Sequence, residues 1–332
     1  MNNIKRYNLF ILFSTIARNI VEVFSSVLLY KIGYSFREIL LFYSILYFTG
    51  MITSIGSIYL TKIIKPKYIL MLSSIIFSGS FYFMSVMDRT FTNLVIFSII
   101  NGIGAYSYHS LRHYYAIKVI DNHNNKEIGN ILIFSNIATI FSSLIGAYIQ
   151  ELLSVFILAI IIVIISIIAI IPIVKLKDVE DNNTIKLERI SKNKLLFFLL
   201  EQAKVINLTL QPLYLYLFIN SRDNKKYFKY LNMIFCIFLI MKLNINNKYL
   251  VLLIGLFEGL GIKMFEVVSS ENIYTINKNT NVKGYVILVE IIFCLVRSIL
   301  CLIGYFINDI RIILYISILL IFILSFVKRD NI

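Results

Sequence analysis

Long apolar runs separated by short polar segments fill the chain from one end to the other. Each run has about 20 residues, the length that a helix needs to cross a hydrocarbon core of about 30 Å. Because backbone N–H and C=O groups find no water inside a bilayer, these segments are expected to be helices. The pattern predicts eleven spans, at 7–31, 36–61, 67–87, 91–118, 127–150, 152–174, 195–219, 228–242, 248–272, 283–306 and 310–327. The predicted fold is therefore an all-α polytopic membrane protein.

Composition excludes a soluble domain, since 59% of the residues are hydrophobic and the mean hydropathy is +0.82. The first apolar run is a full span without a cleavage site, so we expect it to act as an uncleaved targeting signal. A net charge of +14 would suggest nucleic acid as partner of a soluble protein. Here Lys and Arg are expected in cytoplasmic loops instead. The partners predicted are the lipid bilayer and a small solute, with no nucleic acid.

Basic residues orient the first six predicted spans. If the N-terminus is inside, thirteen Lys and Arg lie in cytoplasmic segments and three in the opposite loops. We therefore expect a cytoplasmic N-terminus and a cytoplasmic linker at 175–194. The bias toward Ile, Asn, Lys and Tyr is typical of an AT-rich bacterial genome, which favours the bacterial cytoplasmic membrane as location.

Two stretches of the chain repeat each other, Leu94–Gln150 and Leu250–Asn308. Asn101-Gly-Ile-Gly104 aligns with Glu258-Gly-Leu-Gly261, and further glycines align after them. The repeat predicts two related transmembrane halves. Small residues allow close approach of membrane helices, so we expect these glycines at helix contacts. The glycines in question are Gly102, Gly104, Gly146, Gly259, Gly261 and Gly304.

The two predicted halves, 1–174 and 195–332, differ in length. The first span of each aligns without a gap, with Arg18 over Lys204, but the counterpart of the second span is missing from the second half. The first half would then have six spans and the second half about five. Loss of one span should invert the orientation of every later span. The later Lys and Arg residues nevertheless lie in loops that would be cytoplasmic if no span had been lost. Two explanations stay open: 194–220 is re-entrant, or the chain is a degenerate member of its family.

Paired six-span halves joined by a charged linker resemble the major facilitator superfamily of secondary transporters. Ser98-Ile-Ile-Asn101-Gly102-Ile-Gly104-Ala105 is similar to the signature of its fourth span, an Arg followed three residues later by Gln-Gly-x-Gly. Asn replaces Gln, and Ser98 occupies the Arg position. The stretch Gly56–Lys65 is similar to the signature between the second and third spans, with Leu60 at an acidic position.

The resemblance implies two pseudo-symmetric helical bundles and transport by alternating access, with the first, fourth, seventh and tenth spans lining a cavity. Ionisable groups at membrane depth are costly and usually functional. The candidate substrate-binding residues are Arg18, Glu22, Asn101, His109, Lys204 and Glu258. Glu258 and His109 are also candidates for coupling to a proton or cation. Phosphate-ester antiporters of this superfamily place cations on their first and seventh spans, so Arg18 and Lys204 allow an anionic substrate.

Other interpretations compete with these roles. Arg18 and Glu22, four residues apart, would form an ion pair on one face of a helix. Glu290 and Arg297, seven apart, would form a structural network between helices. The eroded signatures favour a non-transporting relative with an immunity, sensor or assembly role as the alternative to a solute transporter working in efflux or exchange. No enzyme motif, metal site or cofactor site is recognised, and the three cysteines are expected to be buried apolar groups.

Overall fold

The computed structural model describes residues 3–119, 154–176, 192–202 and 281–324, together with single positions between 135 and 149 and residues 185 and 240. All regular elements in these ranges are helices. They are α1 (Asn3–Asn19), α2 (Ser25–Ile32), α3 (Phe36–Leu60), α4 (Pro66–Val86), α5 (Phe91–Val119), α6 (Val155–Val174), α7 (Lys192–Glu201), α8 (Val282–Ile307) and α9 (Ile310–Leu324).

Six described segments are long and apolar enough to cross a membrane. They are Lys5–Ile32, Phe36–Leu60, Pro66–Val86, Phe91–Lys118, Val155–Val174 and Val282–Ile307. The predicted all-α membrane fold is confirmed, with span ends within a few residues of the predicted ones. The span predicted at 248–272, that at 228–242 except residue 240, and most of those at 127–150 and 195–219 lie outside the described residues.

Polar residues at the turns fix where the helices begin and end. Ser35 caps α3 because its Oγ accepts a hydrogen bond from the Glu38 N–H at 3.3 Å, while the Ser35 N–H donates to Glu38 Oε2 at 2.6 Å. Gly33 ends α2 with φ +108°, a left-handed conformation that suits glycine. Pro66 occupies the first turn of α4, and Asn308 ends α8 with φ 54°.

The two predicted halves meet along α3 and α8, which pack together more extensively than any other pair of described helices. Ser44 on α3 and Ser298 on α8 exchange hydrogen bonds, since each Oγ donates to the other residue's carbonyl, at 3.1 and 2.9 Å. Within the first half, α5 packs on α3 and α4, and α6 packs on α1 and α4. The described part of the contact between the halves is thus dominated by one long helix pair with polar groups at intervals.

Contacts at both ends of α8 give its direction. Near its start, the Lys283 Nζ lies 5.8 Å from the ring centroid of Tyr114, which belongs to the last turns of α5. Near its end, Gly304 lies against Leu40, which belongs to the first turns of α3. Because α3 and α5 run in the same direction, the end of α5 and the start of α3 lie on opposite sides of the membrane. Helix α8 therefore crosses from the side where α5 ends to the side where α3 begins.

The N-terminus lies on the side where α8 begins. Tyr7 near the start of α1 stacks on Tyr115 of α5, with ring centroids 5.7 Å apart. The helix α9 returns to this side, because Leu320 in its second half packs against the cluster that contains Tyr7 and Phe198. The last described helix therefore ends on the side where the chain begins. This is the arrangement expected if 194–220 does not cross simply, and most of that segment lies outside the described residues.

A topology test follows from this arrangement. Reporter domains fused to the N-terminus and to the C-terminus are expected to become active on the same side of the membrane. Fluorescence of a protein that matures only in the cytoplasm, compared with activity of an exported phosphatase, would give the side of each end. A C-terminal reporter on the opposite side from the N-terminal one would contradict the direction of α9.

Candidate functional site

The first membrane span is interrupted in the middle. Helix α1 ends at Asn19, one turn of 3-10 helix covers Glu22–Phe24, and α2 starts at Ser25. No Gly or Pro stands between 8 and 32 to account for the interruption. Gly146 faces the backbone of Ile20 so closely that a Cβ there would overlap the Ile20 carbonyl. Irregular backbone at membrane depth is tolerated where it is buried in protein or lines a cavity, and transporters bind solutes at such breaks.

The break separates two candidate residues that the sequence placed on one helical face. Because the helix ends between them, the expectation of an Arg18–Glu22 pair on one helical face is wrong. The Arg18 side chain is buried at 4% exposure, whereas Glu22 is exposed. The two groups interact electrostatically, and Glu22 interacts in the same way with Arg297 of the second half. The carboxylate of Glu22 thus interacts electrostatically with one arginine of each half.

Arg18 is held between α4 and α5. Its guanidinium carbon lies 4.0 Å from the ring centroids of both Phe77 and Tyr108, so two aromatic faces sandwich the cation. Nη2 donates a hydrogen bond to the Gly104 carbonyl at 3.1 Å. Nη1 is buried and has no hydrogen-bond partner among the described residues. Arg18 is therefore fixed inside the first half, with one donor unused.

Arg297 joins both halves. Its Nε donates to Gln202 Oε1 at 2.8 Å, directly after α7, and its Nη1 donates to the Tyr106 hydroxyl on α5 at 3.0 Å. The guanidinium also lies 5.7 Å from the ring centroid of Tyr47 on α3 and 5.4 Å from that of Phe293. Side chains from several helices thus orient one partly buried cation. The sequence offered one signal for this role, an arginine in the interior of a strongly apolar span.

His109 packs beside the two tyrosines that these arginines contact, Tyr106 and Tyr108. Its ring centroid is 5.7 Å from that of Tyr106 and 5.6 Å from that of Tyr108. The charged or titratable groups that act on it electrostatically are all basic: Arg18, Arg112, His113 and Arg297. We call Arg18, Glu22, His109, Arg112 and Arg297 the polar centre. It brings together side chains from the interrupted first span, from α5 and from α8.

A second polar contact joins the halves nearer the N-terminal side. His113 Nε2 on α5 lies 3.8 Å from Glu290 Oε1 on α8, and the two side chains are 17% and 4% exposed. The sequence grouped Glu290 with Arg297, and the structure adds this partner on the other half. Glu290 and Arg297 still interact electrostatically along α8. The predicted interhelical network is therefore larger than the two residues that suggested it.

The remaining candidates are placed as follows. Asn101 is buried in α5 at 4% exposure. Lys204 and Glu258 lie outside the described residues. In the described ranges, no group of three or more His, Cys, Asp or Glu side chains could hold a metal ion. Cys294 and Cys301 are buried free thiols, as the sequence predicted for them.

Comparison with known proteins identifies the fold. The sequence model of the Major Facilitator Superfamily matches residues 8–328. The chain belongs to this superfamily. Two crystal structures of the nucleoside transporter NupG, one of a point mutant, give TM-scores of 0.66 for the mutant and 0.64 for the other, at 13% and 12% identity. Each match covers 99% of this chain and 100% of the NupG chain. The human organic anion transporter MFSD10 (TETRAN) gives 0.62 at 10% identity, covering 98% of each chain. No curated protein sequence matches the chain.

Superfamily membership explains which parts of the signatures persist. Gly104 abuts the backbone of Phe77 on α4, so the glycine serves close helix contact. Ser98, at the position of the signature's Arg, donates its hydroxyl to the Leu94 carbonyl of its own helix at 2.7 Å. Gly56 has nothing within 4 Å of where a Cβ would stand. The glycine of this signature thus serves helix packing, and Ser98 makes a hydrogen bond within its own helix.

Proposed function

We propose that this superfamily member is a secondary transporter that moves a small organic solute across the bacterial cytoplasmic membrane by alternating access, with its N-terminus in the cytoplasm. The observation that carries the proposal is the interrupted first span, whose exposed Glu22 interacts electrostatically with Arg18 and with Arg297 of the other half. Discontinuous helices at mid-membrane beside ionisable groups are typical of solute sites in transporters.

The contacts between the halves suit reversible opening. Arg297 bonds to Tyr106 across the halves, His113 contacts Glu290, and Ser44 and Ser298 exchange hydrogen bonds. Polar contacts of this kind can be exchanged for bonds to water at a net cost of about 0.5–1.5 kcal/mol each. Two halves held by such contacts and by apolar packing along one helix pair can rock around a fixed solute site.

We assign the solute to the polar centre. Glu22, His109 and Arg297 are exposed or partly exposed and would contact it, while the buried Arg18 interacts electrostatically with Glu22. Asn101, Lys204 and Glu258 remain further candidates, and Glu258 or His109 would couple transport to a proton or cation. NupG and MFSD10 suggest nucleosides and organic anions as the first solutes to test.

The test is flux through purified protein in proteoliposomes, with labelled nucleosides and organic anions. Ser44→Cys and Ser298→Cys, with the three native cysteines replaced, would place two thiols where the hydroxyl oxygens now lie 3.2 Å apart. Oxidation should lock α3 to α8 and stop flux, and reduction should restore it in the same sample. Flux that continues with the disulfide formed would contradict alternating access. Single-cysteine variants, oxidised in parallel, are the control.

A second candidate, a non-transporting relative with an immunity, sensor or assembly role, is favoured by one observation. Ser98 and Leu60 replace charged positions of the signatures, and neither carries a charge that could work in gating. Absence of flux for every solute of both classes, from protein that is folded and correctly inserted, would favour this candidate.

A further inference from the structure

Three polar groups of the first half are buried without a hydrogen-bond partner among the described residues. They are Arg18 Nη1 and Ser14 Oγ on α1 and the Tyr108 hydroxyl on α5. The three side chains are between 1% and 4% exposed. A buried polar group that makes no hydrogen bond costs free energy, and ordered water commonly supplies the bonds that neighbouring protein groups do not.

Contacts between α1 and α5 bring the three groups together. The Phe10 and Tyr108 rings have centroids 5.9 Å apart, and the Arg18 guanidinium carbon lies 4.0 Å from the Tyr108 ring centroid. Ser14 is four residues after Phe10 and four before Arg18, so it shares their face of α1. The Ser14 hydroxyl is therefore directed at the part of α5 that carries Tyr108.

The guanidinium of Arg18 has one direction left for a further hydrogen bond. Phe77 and Tyr108 cover its two faces, and Nη2 donates to the Gly104 carbonyl at 3.1 Å. Because guanidinium N–H groups lie in its plane, Nη1 donates along the slot between the two rings. A ligand in this slot must accept a hydrogen bond from Nη1, whereas the two nearby hydroxyls can each donate or accept.

We propose that Arg18, Ser14 and Tyr108 form a binding site for an ordered water molecule inside the first half. Water accepts the bond from Nη1 and still has hydrogens for two hydroxyl oxygens, so it matches this set of groups. Three partners are about the usual number for a buried water. A neutral ligand leaves the charges unchanged, and Arg18 keeps its electrostatic interaction with Glu22. The water completes the hydrogen bonding of a cation at membrane depth.

Removing one hydroxyl tests this site by the sign of the change in stability. Tyr108→Phe keeps the ring that covers Arg18 and deletes only the hydroxyl. If water binds this hydroxyl, the Tm of the purified variant should be about 1–2 °C below that of the wild type, because one hydrogen bond is lost. If the buried hydroxyl has no partner at all, its removal relieves an unfavourable burial. An unchanged or higher Tm would thus overturn the proposal.

A double-mutant cycle shows whether one water joins the two hydroxyls. Ser14→Ala removes the second hydroxyl, so Tyr108→Phe should lower the Tm less in this background than in the wild type. Ser317→Ala is the matched control, since Ser317 is also buried and its Oγ donates to the Leu314 carbonyl of its own helix, α9. Equal effects of Tyr108→Phe in all three backgrounds would contradict a shared water.

Radiolytic labelling of the wild type detects the bound water directly. X-ray pulses convert bound water into hydroxyl radicals that oxidise an adjacent ring, and mass spectrometry locates the product. Tyr7 is the internal control, because its ring is as buried as that of Tyr108 but its hydroxyl donates to the Arg112 carbonyl. Tyr108 should be labelled several times faster than Tyr7. Labelling of Tyr108 no faster than that of Tyr7 would overturn the proposal.

Discussion

Gly104→Ala is expected to destabilise the protein by about 3 kcal/mol, at the upper end for overpacking in a close-packed interior. A Cβ at this position would stand 2.6 Å from the Phe77 backbone nitrogen and 2.8 Å from its Cα. Backbone cannot rotate away as a side chain can, so α4 and α5 would have to separate. The carbonyl of Gly104, which accepts the bond from Arg18, would move with α5. Thermal unfolding in detergent followed by the fluorescence of an added thiol dye would measure the change.

The chain offers a matched control for this substitution. Gly79 lies in α4, and a Cβ there would meet nothing within 4 Å. Gly79→Ala should be neutral or stabilise by up to about 1 kcal/mol, because alanine favours the helix. Equal losses of stability for the two variants would show that the contact between α4 and α5 at Gly104 is not the cause.

Arg297→Gln is expected to reduce flux about ten- to hundredfold, which corresponds to loss of charged hydrogen bonds of about 1.5–3 kcal/mol. The change removes the donor shared by Gln202 and Tyr106, both of them buried. Arg297→Lys should restore little, because an ammonium cannot reproduce two bonds fixed in one plane. Initial rates in proteoliposomes, with protein amounts matched, would give the comparison.

Arg37→Gln serves as the control for charge alone. The Arg37 guanidinium lies 5.9 Å from the Tyr305 ring, also a contact between α3 and α8. Its loss should leave flux within about twofold of the wild type, as is usual for charged groups at the surface. If Arg37→Gln and Arg297→Gln lower flux equally, or if Arg297→Lys is fully active, the role given to the Arg297 junction is wrong.

The helices were largely predictable because every span must be apolar and about 20 residues long to cross the bilayer. Apolar runs such as 36–61 and 91–118 end where polar residues begin, and α3 and α5 end within a residue of them. The glycines were predictable for the same reason, since small residues in membrane helices mark contacts. At four glycines, an added Cβ would lie within 3 Å of an atom of another residue. They are Gly102, Gly104, Gly146 and Gly304.

The break in the first span was not predictable from local sequence. Residues 8–32 contain no Gly or Pro, and weak helix formers such as Val21 and Val23 lower helix propensity only slightly, so the pattern predicts one continuous helix. At the interruption, the Ile20 backbone lies against Gly146, more than 120 residues away. Neither the local period nor the charge pattern carries information on that contact.

The polar centre was predicted in part. Arg18, Glu22 and His109 were chosen because ionisable groups in spans are costly, and the structure brings them near one another. Arg297 was interpreted with Glu290 as part of a structural network between helices and was not among the candidate substrate-binding residues. Which side chain of α8 meets Tyr106 and Gln202 depends on the rotation of α8 against the first half. One sequence read alone does not give that rotation.

The fit of Gly146 against Ile20 limits how the first span can move. A backbone segment that moves independently needs clearance, and here the Ile20 carbonyl lies where a Cβ of residue 146 would stand. The interruption between α1 and α2 is therefore held in place by this close contact. Any rocking of the first half should then carry Glu22 along as part of a fixed frame. The moving side of the polar centre would be Arg297.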